Sequence, residues 1–208
     1  MREHFDPLAY ENLGASIARA LEERPIENLV ELERFDGAGI YALYYAGSHP
    51  AYVPLAQRNS VTPGSWAIYI GKAEAENARK GDPDQVHREV GTKLYSRIQN
   101  HLKSIRAAEN LDESDFHVRA LSIAPTWVSL AEVVAIRLHR PVWNVLIDGL
   151  GNHDPGSGRY RGKRPRWDTL HPGRAWAQKL QPRDESPAAI QQEALGYLAQ
   201  HADVDPRE

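Results

Sequence analysis

Residues 38–46 read AGIYALYYA, and residues 66–72 answer with WAIYIGK. Strand geometry sends Ile40, Ala42 and Tyr44 to one face of the first run and Tyr41, Leu43 and Tyr45 to the other. A strand apolar on both faces is covered on both sides, so this run is predicted to be central in its sheet. In the second run, Trp66, Ile68 and Ile70 are expected on one face and Ala67, Tyr69 and Gly71 on the other. Tyr69 then has the two smallest side chains as neighbours, which predicts open space beside its phenol. The two runs are expected to pair and to hold two phenols beside a cleft, with Lys72 next in the chain.

The connection between them, GSHPAYVPLAQRNSVTPGS (47–65), carries three prolines and the polar run Gln57-Arg58-Asn59-Ser60. It is too long for a tight hairpin and is expected to be an inserted loop. Gln57, Arg58 and Asn59 are side chains that make paired contacts to base edges in a major groove. Residues 73–87 are polar, with Gly81-Asp82-Pro83 as a turn.

Further along, Leu94, Ile98, Leu102 and Ile105 form the apolar stripe of a helix predicted from about 89 to 108. Arg97 and His101 lie on an adjoining stripe, four residues apart, and so project the same way. Phe116 to Ile123 reads as a third strand, ended by Pro125. Thr126 is expected to cap a helix over 127–139, stopped by Pro141. That helix is apolar almost all round, yet Glu132 sits in its middle, and a carboxylate there is costly unless something pairs with it. Trp143-Asn144-Val145-Leu146 is expected to be extended.

The flanks differ in charge. Residues 1–36 hold nine acids and four bases, and read as a helix over about 7–24, stopped by Pro25, with a short second helix over 26–34. Residues 137–174 hold eight bases and three acids, although the chain as a whole carries a net charge of −3. A phosphate backbone responds to the local field, not to that sum. The stretch 149–177 is rich in glycine, proline and arginine and is expected to be an arm laid over a surface. Arg159, Arg161, Lys163, Arg164 and Arg166 are its candidate DNA contacts. His153, Asp154 and His171 invite a second metal site, but the surrounding glycine and proline indicate turn chemistry instead. A last helix is expected over 187–200.

Length and composition bound the rest. A chain of 208 residues, 41% hydrophobic, suits one domain with extensions. The absence of cysteine excludes disulfides and thiolate metal sites and fits a reducing cytoplasm. No leader-like segment or membrane-length apolar run is expected from the sequence.

Collected in order, Gly39-Ile40-Tyr41, Tyr69-Ile70-Gly71, Lys72, Arg97, His101, Glu132 and Asn144 resemble the GIY-YIG nuclease superfamily, over roughly residues 37–146. The resemblance implies an α+β fold, with a small three-stranded, mainly antiparallel sheet flanked by helices. An N-terminal helical extension (1–36) and a C-terminal basic arm with a helix (147–208) would be added to that core. It implies hydrolysis of double-stranded DNA with Mg²⁺ (or Mn²⁺) held by Glu132. Tyr41 and His101 would move a proton, Arg97 would steady charge on phosphorus, Tyr69 and Lys72 would grip phosphate, and Asn144 would orient a neighbour or the scissile strand. In the family the two triplets are usually about ten residues apart, whereas residues 42–68 separate them here. The long connection, His101 and the arginine-rich arm resemble the type II restriction branch, in particular the group cutting CCGCGG. That implies a homodimer on a palindrome and a partner DNA methyltransferase. The alternatives are a structure-selective or low-specificity repair nuclease and a catalytically silent DNA-binding module.

Overall fold

The computed structural model describes residues 10–74 and 91–202. The turn expected at Gly81-Asp82-Pro83 and the first residues of two predicted helices lie outside these. In chain order the main elements are α1 (Tyr10–Glu22), β1 (Glu27–Asn28), β2 (Gly39–Tyr45), α2 (Val53–Val61), β3 (Ala67–Ala73) and α3 (Lys93–Ala107). There follow β4 (Phe116–Ser122), α4 (Pro125–His139), α5 (Val142–Val145), α6 (Arg166–Leu170) and α7 (Pro187–His201).

The sheet runs β1-β4-β2-β3, with every neighbouring pair antiparallel. It has four strands among the described residues, not the three expected. The extra one is the two-residue β1, where a second helix was predicted. Asn28 ends it by accepting a hydrogen bond from the Val30 amide at 2.8 Å, a turn that competes with helix. All seven residues of β2 are buried, as its two apolar faces require of a central strand.

One face of the sheet carries Tyr41, Leu43 and Tyr45. It packs on the α3 stripe Leu94, Ile98, Leu102 and Ile105, and on Trp143, Trp167, Ile190 and Leu198. The other face carries Ile40, Ala42, Tyr44, Ala67 and Ile70. It packs on Leu21 of α1 and on Val128, Ala131 and Ala135 of α4. The C-terminal segment is therefore built into the principal core rather than laid over it. Trp167 and Leu170 of the expected arm are buried there with α7.

Three local expectations change. The 47–65 connection is mostly helical, with a 3-10 turn at Pro50–Tyr52 leading into α2. Helix α4 starts at Pro125, and Thr126 makes no cap, because proline's fixed φ suits the first helical position. Residues 142–145 are a helical turn, not an extended piece. Arg140 separates α4 from α5 in a left-handed conformation, φ 43°.

The β2–β3 register shifts between Leu43 and Tyr44. Leu43 faces Tyr69 and Tyr44 faces Ala67, which leaves Ile68 as a bulge. The bulge reverses the expected alternation: Ile68 joins Tyr69 on one face, and Ala67 joins Ile70 on the other.

Candidate active site

Strand β3 is an edge, so residues from both layers reach around it. Helix α3 brings Arg97 and His101 from the first layer. Helix α4 brings Ser129 and Glu132 from the second, and α5 brings Asn144 to the edge itself. Of the seven residues picked from the sequence, Tyr69, Lys72, Arg97, His101, Glu132 and Asn144 gather around this edge, and Tyr41 stands beside it on the neighbouring strand β2, across from Gly71.

Tyr41 has no exposed surface, and His101 has 1%. The Tyr41 hydroxyl is hydrogen-bonded to His101 Nε2. Burial above all, then Tyr69, lifts the Tyr41 phenol well above its ordinary range, while Arg97 opposes the rise. Burial, then the charge of Arg97, pushes His101 down to about 3. At neutral pH the imidazole is thus uncharged and can accept, and the phenol keeps its proton and donates. The Tyr69 ring lies 6.1 Å from that of Tyr41 and 5.0 Å from that of His101. Its phenol too is raised by burial, eased by Arg97 and lifted further by Glu132, so the two layers meet electrostatically at this point.

The space predicted beside Tyr69 is filled. A Cβ on Gly71 would lie 2.6 Å from Tyr41 Cζ and 2.9 Å from Tyr69 Cε1. The glycine makes room for the other tyrosine, not for an open pocket, and Tyr41 stands directly across from it in the register.

On the second face, Lys72 Nζ donates to Ser129 Oγ at 2.7 Å and pairs with Glu74 at 2.9 Å and Glu132 at 3.3 Å. The Glu132 side chain is 21% exposed. Burial raises its carboxyl, with Lys72 pulling the other way. Asn144 spends both ends of its amide on one residue: its Oδ1 accepts from the Ile70 amide at 2.8 Å and its Nδ2 donates to the Ile70 carbonyl at 2.7 Å. It substitutes for a missing neighbouring strand and fixes the middle of Tyr69-Ile70-Gly71.

The expected DNA contacts separate into two groups. Asn59 is buried; its amide donates to the carbonyls of Tyr45 and Trp66 and accepts from the Trp66 amide, so it braces the connection and does not read bases. Arg58 donates to the Ala202 carbonyl at 3.0 Å and lies over the Trp66 ring, holding the end of α7. Arg164 donates to the Ala177 carbonyl at 3.0 Å. Arg166 donates to the Leu146 carbonyl and pairs with Glu193 and Glu185, with 13% of its side chain exposed. These arginines build the C-terminal segment because it folds on itself. Lys163 is exposed and paired with Asp184 at 2.7 Å. Gln57, Arg159 and Arg161 are exposed, and the two arginines carry no ion pair among the described residues.

Glu74, Ser129 and Gly151 escaped the sequence reading, and His153, weighed there for a metal, was not tied to this site. Glu74 and Ser129 complete the Lys72 cluster. Gly151 lies against the first layer: a Cβ there would be 2.8 Å from Arg97 Nη2, 3.6 Å from Tyr69 Oη and 3.7 Å from His101 Cε1. His153 Nε2 is 3.3 Å from Arg97 Nη1. His171, weighed above for a metal, is instead buried between Tyr52 Oη at 2.6 Å and Asn110 Oδ1 at 2.9 Å. The signal for Gly151 and His153 was their place in a glycine-rich run outside the 37–146 stretch, and nothing local in sequence ties that run to α3.

Residues 33–198 match the model of the family described as the Eco29kI GIY-YIG domain, a range that takes in β2, β3 and β4, helices α2 to α6 and most of α7 but not α1 or β1. No curated protein matches the chain.

Proposed function

The chain belongs to the Eco29kI GIY-YIG family of restriction-type nucleases, and from that premise we propose that it cuts double-stranded DNA at a G·C-rich palindrome, by resemblance CCGCGG, using one Mg²⁺. The observation that carries the reading is the buried Tyr41–His101 pair beside Arg97. It couples a neutral acceptor to a phenol at the place where a phosphate would meet a fixed cation.

Glu132 fits a divalent ion. It is a partly buried carboxylate in an apolar helix, paired with Lys72 at 3.3 Å, with the charge of Glu74 nearby and one side still open to solvent, and a divalent cation there would add to the neutralisation that Lys72 provides. Mg²⁺ at Glu132, or Mn²⁺ in its place, would neutralise charge on the scissile phosphate. The remaining steps belong to the chain's own side chains. Water attacks phosphorus, the bond to the 3′ oxygen breaks, and that oxygen leaves with the bonding pair and takes a proton from solvent. Arg97, always charged, opposes the negative charge that builds on the phosphoryl oxygens. Tyr41 takes the water's proton as its own passes to His101 Nε2, so no free phenolate is needed. The phosphate's charge offsets that of Arg97 and makes the imidazole more basic when DNA is bound. Tyr69 and Lys72 are donors to the same phosphate, and Asn144 keeps Tyr69 in place.

Gln57, Arg159 and Arg161 are proposed to contact DNA. A homodimer on the palindrome, a protecting methyltransferase and a cytoplasmic location complete the reading. No helix among the described residues is long and apolar enough to cross a membrane. The test is digestion of a plasmid with Mg²⁺ or EDTA, followed by sequencing of the fragment ends. Discrete Mg²⁺-dependent fragments ending within CCGCGG support the proposal. Discrete ends elsewhere overturn the site, a smear or a preference for branched DNA overturns site specificity, and no cleavage overturns the activity.

A further inference from the structure

The loop 149–153 is fastened to α3 by a buried device. Arg174 is 5% exposed and Asp168 3%. The Arg174 guanidinium grips both Asp168 oxygens, Nε to Oδ1 at 2.6 Å and Nη2 to Oδ2 at 2.5 Å. It lies between the Trp167 and Trp176 rings, 4.6 and 4.7 Å from their centroids. Its remaining donors go to the carbonyls of Gly149 (2.8 Å), Leu150 (2.9 Å) and Asn152 (3.1 Å) and to Ser104 Oγ on α3 (3.3 Å). A forked cation held by a carboxylate and two aromatic faces makes a rigid anchor. Three carbonyls of the loop backbone are thereby set against the helix that carries Arg97 and His101.

Two things follow at the far end of the loop. A Cβ on Gly151 would touch Tyr69 and His101 at ordinary contact distance but would meet the tip of Arg97, Nη2, at 2.8 Å, so the guanidinium would have to move aside. His153, two residues on, puts Nε2 at 3.3 Å from Arg97 Nη1. A guanidinium has donors and no acceptor, so His153 Nε2 accepts. Among the described residues Arg97 also interacts with the phenols of Tyr41 and Tyr69 and with the charge of Glu132, and it is partly exposed.

We propose that His153 is a positioning residue for Arg97, and that Gly151 and His153 form a wall of the catalytic cleft supplied by the C-terminal segment. The proposal rests on the nuclease reading for its effect on rate, but not for its geometry. Gly151 limits how far the guanidinium can retreat, and His153 limits how far it can swing. Together they keep two donors of the fork aimed at the phosphate site. Anchoring through Arg174 makes this wall part of the site before DNA arrives.

The test has two readouts. The first is kinetic. His153→Ala is expected to lower kcat about 10–100-fold, with KM for DNA changed less than about 3-fold, as for a misplaced catalytic group. His153→Gln keeps an acceptor near the Nε2 position and is expected to recover most of the loss. Gly151→Ala is expected to lower kcat by forcing Arg97 aside. Wild-type rates in His153→Ala, or a Gln variant as slow as the Ala variant, would overturn the proposal. The second readout needs no activity: the Arg97 Nε–Hε resonance in an NMR spectrum of the folded protein. It should shift and broaden in His153→Ala and return towards its wild-type position in His153→Gln. An Arg97 signal unmoved by His153→Ala overturns the positioning role. A shifted signal in a protein that cuts no DNA would retain the contact and reject the nuclease reading.

Discussion

At the scale of single residues, the Tyr41–His101 pair decides what the site can do. Neither group is suited alone to work at neutral pH, since the phenol holds its proton too tightly and the imidazole too weakly. Their hydrogen bond is what would make them one relay in the proposed cleavage. Tyr41→Phe should leave the fold intact at a cost of about 1–2 kcal/mol for the orphaned imidazole nitrogen, and should slow cleavage about 10²–10⁴-fold. Thermal unfolding and single-turnover cleavage measure the two effects; wild-type cleavage in this variant would remove Tyr41 from the chemistry. Gly71→Ala tests the packing between the phenols. Its methyl would overlap Tyr41 on the opposite strand, so a loss of about 1–3 kcal/mol is expected, with activity falling too. The convergence of these residues on one place was legible in the sequence because the two triplets, an arginine and histidine one helical turn apart, and a lone glutamate are local patterns. The wrong inference was the open space by Tyr69, because a one-residue bulge cannot be read from alternation alone.

At the scale of elements, β3 is the decisive strand. It carries Tyr69 and Lys72 to opposite layers, and its outer side is closed by Asn144 of α5. Asn144→Ala would strip the Ile70 amide and carbonyl of their partner at once. A loss of about 2–3 kcal/mol in urea unfolding is expected, with cleavage reduced because Tyr69 loosens. Asn144→Asp should be no better near neutral pH, since a carboxylate cannot donate to the Ile70 carbonyl. Recovery of full stability in the Asp variant would show that this pairing contributes little. The strands β2 and β4 and the helices α3, α4 and α7 were legible to within a few residues, because their apolar periods are long and proline marks several ends. The helix α2 was not, because its stretch 53–61 has a weak apolar period and prolines on both sides. Asn59 looked like a base reader for the same reason: a polar side chain in a presumed loop has no visible backbone partner.

At the scale of the whole molecule, burial of histidines sets the response to acid. His101 is pushed down to about 3, His171 well below its ordinary value, and His49 downwards, each by burial first. Above about pH 6.5 these rings are neutral both folded and unfolded, so they do not affect the balance. As pH falls below that, the unfolded chain takes up protons that the folded chain refuses, and stability drops. Each fully resistant histidine contributes a slope of up to about 1.4 kcal/mol per pH unit. Urea midpoints measured from pH 7 to 5, above the carboxylate range, should fall steadily, and His171→Gln should flatten the slope. A flat wild-type profile would contradict the buried neutral rings. The same tertiary burial explains the limits of legibility here. Counting bases suggested an arm devoted to phosphates, yet Arg164, Arg166 and Arg174 hold the segment together. Their partners, Glu193, Asp168 and several carbonyls, are visible only once the chain is folded. Arg159 and Arg161 remain exposed; replacing both with alanine should flatten the salt dependence of DNA binding by about two phosphate contacts. The amide of Asn144 has a further meaning at this scale. Unpaired strand edges act as templates on which another chain can lay its own strand. Here one edge is plugged by a side chain at its midpoint, and the other is only two residues long. In the proposed homodimer on DNA, the two copies would therefore associate through helices or loops. Each sheet ends within its own subunit, and crowding at a shared site gives little purchase for strand-to-strand aggregation.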